Sequence, residues 1–202
     1  MNKLLDRTLE FDQIKASDML NNTLRTLPKE YIALGDLLER FDRRSFSSTF
    51  LLLALLCLLP GISVLAGFAM IFPAVQMALG FNTLTFPRFV REYKISVPSL
   101  KKWSARALPM LIKMESFVKP RYVFLSQMMM QRILGGLIIV LALIVAIPFP
   151  LSNYPPAIAV MFLSLGLLAN DGLVILLGIV CSIFAAAIGF SMFYFLIAWL
   201  FF

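Results

Sequence analysis

In the last 70 residues of this 202-residue chain one side chain carries a formal charge, Asp171. A carboxylate among apolar segments is costly, and by default it is a candidate for carrying a proton or binding a cation. The plainer alternative is a turn, Asn170-Asp171-Gly172, in which Asp171 caps the following helix. A second candidate is Asn153 with Ser152, set among Pro148, Pro150, Pro155 and Pro156. A broken helix at membrane depth frees backbone amides and carbonyls for an ion or a headgroup, while a short loop on the outer face is the commoner outcome. Gln76 lies mid-helix in an apolar run. It would line a polar path or make a single interhelical hydrogen bond, the latter being the more usual. Arg106, Lys113, Lys119, Arg121 and Arg132 are cationic, suited to anionic headgroups, and as a run they also read as an ordinary basic surface beside membrane segments.

Composition narrows the other chemistry. The chain has no histidine, which removes histidine triads and the commonest metal ligand. Cys57 and Cys181 stand alone in apolar runs and read as small buried residues. No glycine-rich phosphate loop, nucleophile elbow or pair of membrane carboxylates is present. No enzyme activity, cofactor or metal is expected.

The elements that must position these residues are apolar. Hydrophobic residues make up 60% of the chain and charged ones 14%, against about 45–50% and about 25% in soluble domains. The mean hydropathy is +0.89. Charge is segregated: residues 1–44 hold eight Lys/Arg and eight Asp/Glu, residues 45–87 none, and residues 88–132 ten Lys/Arg against Glu92 and Glu115. A basic stretch between two uncharged ones predicts cytoplasmic retention beside anionic lipid, and not nucleic acid. The first apolar run starts near Ser45, behind a charged region, unlike a signal peptide.

The expected fold is an all-α integral membrane protein with five segments. Residues 1–44 form cytoplasmic amphipathic helices, one starting at Pro28 with Tyr31, Leu34, Leu38 and Phe41 on one face. Residues 45–87 form a first membrane hairpin broken at Pro60-Gly61. Its first arm, Ser45–Leu59, reaches only about 22 Å against a hydrocarbon core of about 30 Å, so the hairpin is either transmembrane or re-entrant. Residues 88–121 form a basic interfacial helix, with Leu100, Trp103, Ala107, Leu111, Met114 and Val118 on the apolar face and a kink at Pro109. Residues 122–172 form a second hairpin, broken from Pro148 to Pro156, and residues 173–202 a final apolar stretch. Arg132 is expected to snorkel to the interface. Each hairpin has two apolar arms, a proline break and a Leu-Gly element, Leu79-Gly80 and Leu165-Gly166, an internal repeat of the kind found around transporter sites. If all five apolar segments cross, the C-terminus lies outside.

Four stretches carry a family resemblance: Ile32-Ala-Leu-Gly-Asp-Leu-Leu38 with Arg44-Ser-Phe46; Arg106-Ala-Leu-Pro109 running to Lys119-Pro-Arg121; Pro150-Leu-Ser-Asn-Tyr-Pro-Pro156 with Leu165-Gly-Leu-Leu168; and Asn170-Asp-Gly-Leu173. In these the chain resembles the ExoD family of bacterial membrane proteins. It departs from the family at Asn82-Thr-Leu-Thr-Phe-Pro87, where a more basic, tryptophan-bearing turn is expected. The resemblance implies a bacterial inner-membrane location and a link to exopolysaccharide synthesis or envelope homeostasis, including alkali tolerance. It implies no settled activity. The functional expectation is a small transporter of protons, cations or a polyprenyl-phosphate-type lipid. The alternative is an accessory subunit of a polysaccharide synthase or exporter. Expected partners are anionic membrane lipids, a second copy of the chain and that machinery.

Overall fold

The computed structural model describes residues 16–28, 30–42, 46–59, 62–81, 84–118, 128–146 and 153–201. Among them the elements run α1 (Ala16–Arg25), β1 (Tyr31–Ala33), α2 (Leu34–Asp42), α3 (Phe46–Cys57), α4 (Ser63–Leu79), α5 (Arg88–Arg91), β2 (Lys94–Ser96), α6 (Val97–Ser116), α7 (Met128–Ala146), α8 (Tyr154–Leu168) and α9 (Gly172–Phe201). Helix dominates, as expected. Pro60, Gly61, Lys119, Arg121, Pro148, Pro150 and Ser152 lie outside the described residues.

The fold is not purely helical. β1 and β2 pair antiparallel, with Ile32 opposite Ile95. Both isoleucines are buried, the position that β-branched residues favour on a half-covered sheet. Each strand runs straight into a helix, held by Leu34 N–H to the Tyr93 carbonyl at 2.8 Å and Val97 N–H to the Glu30 carbonyl at 2.9 Å. This corrects the expectation of a helix from Pro28. The chain is extended at Tyr31, which is exposed, and helix starts at Leu34, where Leu34, Leu37 and Leu38 turn inward. The pattern is right for a helix; the strand won because Lys94–Ser96 is available as a partner.

Two prolines expected in the second break, Pro155 and Pro156, belong instead to the first turn of α8. A helix tolerates proline there because those N–H groups have no intrahelical acceptor. Pro98 likewise sits in the first turn of α6, and Pro109 lies inside that helix.

The five apolar helices arrange by length. α3 is 12 residues and α8 is 15, yet ten residues of each are buried. They pack on each other, α4 lies along α7, and α9 lies along α8. Two helices are long and apolar enough to cross a membrane, Met129–Ala146 within α7 and Gly172–Tyr194 within α9, and these are more exposed than α3 and α8, at 44% and 28% buried. The seams are set by small residues. A Cβ added to Gly135 on α7 would lie 2.7 Å from the Ala78 nitrogen on α4, and one on Gly178 would lie 2.8 Å from the Leu163 nitrogen. Small residues at such contacts let apolar helices approach backbone to backbone.

Candidate functional site

The apolar bundle has two ends, and the structure divides the candidate residues between them. At one end Asn153, just before α8, donates through Nδ2 to Ser63 Oγ at 2.9 Å. Ser63 opens α4, so this bond ties the start of α4 to the start of α8. Asn153 is buried, and a buried amide that is bonded serves packing as well as chemistry. Sequence reasoning missed Ser63, although it stands three residues past Pro60 as Asn153 stands three past Pro150.

Asp171 is at the other end. Residues 154–168 form one continuous helix between it and Asn153, about 23 Å at 1.5 Å per residue. The two do not share a site. Asp171 is 1% exposed. Its Oδ1 accepts from Leu173 N–H at 3.0 Å and Val174 N–H at 3.4 Å, the geometry of a carboxylate capping the N-terminus of α9. Asn170 takes the turn with φ of 52°.

Gln76 is committed to a loop. Its Nε2 donates to the Thr85 carbonyl at 2.6 Å and its Oε1 accepts from Thr85 N–H at 2.8 Å. Four residues on, α4 ends in a glycine cap: Gly80 has φ of 80°, with Gly80 N–H on the Met77 carbonyl and Phe81 N–H on that of Gln76. The Arg132 guanidinium lies over this glycine, so close that an added Cβ would stand 2.6 Å from Nη2. A cation at a helix C-terminus is electrostatically favourable. Arg132 is also exposed, leaving it open to headgroups.

A cavity of about 190 Å³ lies between α6 and the enclosed helices. Leu52, Leu55, Leu56 and Leu59 of α3 form one wall, Leu100, Trp103 and Met110 of α6 another, and Tyr154 and Ile158 of α8 close the side. Ser104 also lines it, but its hydroxyl donates to the Lys101 carbonyl at 3.0 Å. The cavity is therefore apolar in character. Trp103, Met110 and Tyr154 are partly exposed and mark the rim; Leu52, Leu56 and Leu100 are buried at the floor. Lys102 and Lys113 are exposed and fall on the helical stripe next to Trp103 and Met110, with Arg106 at the same register. α6 is fastened at its far end, where Glu115 accepts from Ser17 N–H at 2.8 Å and Ser17 Oγ at 2.5 Å. A second pocket, lined in part by Glu39, Thr49 and Arg91, is about 20 Å³, room for a water and little more. Among the described residues no group of acidic, cysteine or histidine side chains has the makings of a metal site.

A family model described as "Exopolysaccharide synthesis, ExoD" matches residues 16–191. The chain belongs to the ExoD family. A curated relative, "Protein ExoD" of Rhizobium meliloti (strain 1021), is 29% identical over 201 residues, covering 90% of this chain and 80% of the relative. An uncharacterised protein of Synechocystis sp. is 26% identical over 136 residues, 67% of this chain and 64% of that protein. No solved structure gives a significant match. ExoD membership connects the chain with exopolysaccharide synthesis, and the name of the family carries no enzymatic activity.

Proposed function

We propose that this ExoD-family protein is a multi-pass inner-membrane protein that handles a polyprenyl-phosphate-type lipid in support of exopolysaccharide synthesis and envelope homeostasis. The observation that carries this reading is the apolar cavity beside the Lys102–Lys113 stripe. An ion path would need polar groups in series, whereas Asn153, Gln76 and Asp171 stand apart and each has a bonded role. Cytoplasmic placement of α1, α2 and α6 follows from the positive-inside rule, since the Lys/Arg surplus is concentrated in residues 88–132. α3 and α8, about 18 and 23 Å long, are held within the domain as re-entrant arms, leaving α7 and α9 to face lipid.

Proteoliposomes containing the pure protein test the reading. A labelled polyprenyl phosphate should cross the bilayer faster than in protein-free vesicles, with no ion flux. Ion flux without lipid movement would replace this reading with a proton or cation carrier. Movement of neither, with a polysaccharide synthase or exporter co-purifying, would replace it with the accessory-subunit role. Impermeant thiol labelling tests the topology in a chain freed of Cys57 and Cys181: Tyr194→Cys should label from outside and Lys113→Cys only after permeabilisation.

A further inference from the structure

The cavity is too small for a whole lipid. Sites for drug-sized molecules run to about 300–1,000 Å³, while an engineered apolar cavity of about 150 Å³ takes one benzene ring. At about 190 Å³ there is room for a short length of one hydrocarbon chain. The lining fits a chain and not a sugar, because it is hydrocarbon apart from the Ser104 hydroxyl, which is bonded to its own helix, and Tyr154 at the rim. The flank of α6 on the Trp103–Met110 side is basic. Lys102 is adjacent in sequence to Trp103, and Lys113 is three residues past Met110, on the same side of the helix. The acidic group of this helix nearest its end, Glu115, is occupied by Ser17.

We infer, resting on the lipid-handling reading, that this pocket is the binding site of a single-chain lipid phosphate. The head-proximal carbons enter between Trp103, Leu56 and Tyr154. The phosphate monoester lies on Lys102, beside Trp103, where an ammonium group acts as a point charge for phosphate, and Lys113, three turns along the same stripe, adds to the positive potential. The remainder of the chain stays in the bilayer. At about 190 Å³ the pocket takes one chain and not two, which favours a lipid with a single chain.

The site is testable in the full-length protein in nanodiscs, carrying Trp199→Phe so that Trp103 is the remaining tryptophan. Titration with farnesyl phosphate should shift Trp103 emission to the blue and saturate. Farnesol should bind at least about tenfold more weakly, as expected for loss of charge-assisted contacts, and inorganic phosphate should give no shift. The double variant Lys102→Gln, Lys113→Gln should lose at least about tenfold for farnesyl phosphate and nothing for farnesol. Ala107→Phe should abolish the shift by filling the pocket. Equal affinity for farnesol and farnesyl phosphate, equal affinity for dioleoyl phosphatidic acid, or no saturable shift would overturn the inference. Binding without lipid movement in proteoliposomes would keep the site and remove the transport reading. Undiminished movement by Ala107→Phe would remove the site and keep that reading.

Discussion

The shortest apolar helices are the most enclosed, and the longest are the most exposed. α3 and α8 bury ten residues each out of 12 and 15, whereas the long apolar window of α9 is only 28% buried. In water the reverse is expected, because a helix that is apolar all round must be covered. Exposed Leu176, Val180, Ile183 and Phe184 on α9 make sense when the solvent is hydrocarbon. The short pair cannot face that solvent alone, since neither covers the thickness of about 30 Å and their ends would carry unbonded backbone groups. Enclosure by α4, α7 and α9 resolves this. The two helix pairs therefore do not copy each other: the shorter helix comes first in α3–α4 and second in α7–α8, and the two shortest, α3 and α8, pack on each other.

The largest effect on this arrangement should come from its seams. Gly135→Leu places a side chain where the Ala78 nitrogen and Ala74 carbonyl stand within about 3 Å of the Cβ position. The expected result is loss of the monodisperse folded species in detergent chromatography, because α4 and α7 must separate. A normal elution profile would mean that the long pair is not a close-packed seam. Next in size is Leu53→Ala on α3. Leu53 is fully buried, and truncation there should cost about 2–5 kcal/mol in a denaturation titration, as cavity-forming leucine changes do. Ile183→Ala on exposed α9 should cost less than about 0.5 kcal/mol in the same assay.

Much of this comparison was legible from residue types. All five apolar helices stand close to the bounds that the apolar runs predict, because uncharged stretches and prolines mark ends strongly. The β1–β2 pair was not legible. Tyr31–Ala33 sits in front of a good helical pattern, and its partner Lys94–Ser96 lies some 60 residues away, a distance at which local pattern says nothing. The site was half legible. Asn153 and Asp171 are both polar interruptions of apolar sequence, but their separation by the whole of α8 follows from Pro155 and Pro156 starting a helix instead of ending one. The cavity was invisible, since its floor is ordinary leucine. The helical spacing of Trp103, Ala107 and Met110 beside Lys102 and Lys113 was the available signal.

A charge substitution separates lipid from water as the solvent of the exposed helices. Ile183→Lys puts a charge on the face of α9 that is open. In hydrocarbon at mid-depth it should cost about 3 kcal/mol and lower the membrane-inserted yield; in water it would cost almost nothing. Equal yields for Ile183→Lys and Ile183→Ala would place α9 against an aqueous or protein partner instead.

Substitution of Asp171 decides what its carboxylate does. As a cap, its carboxylate holds Leu173 and Val174 N–H groups at the start of α9. Asparagine caps nearly as well, so Asp171→Asn should cost only the charge–dipole part, about 0.3–1 kcal/mol. Asp171→Ala should cost about 1–2 kcal/mol. Lipid movement in proteoliposomes should survive both in proportion to folded protein, because the proposed head and chain contacts lie on α6, α3 and the start of α8, at the other end of that helix from Asp171. Loss of movement in the well-folded Asp171→Asn protein would show that the carboxylate's charge, and not its capping bond, is what the end of the short helix was enclosed to protect.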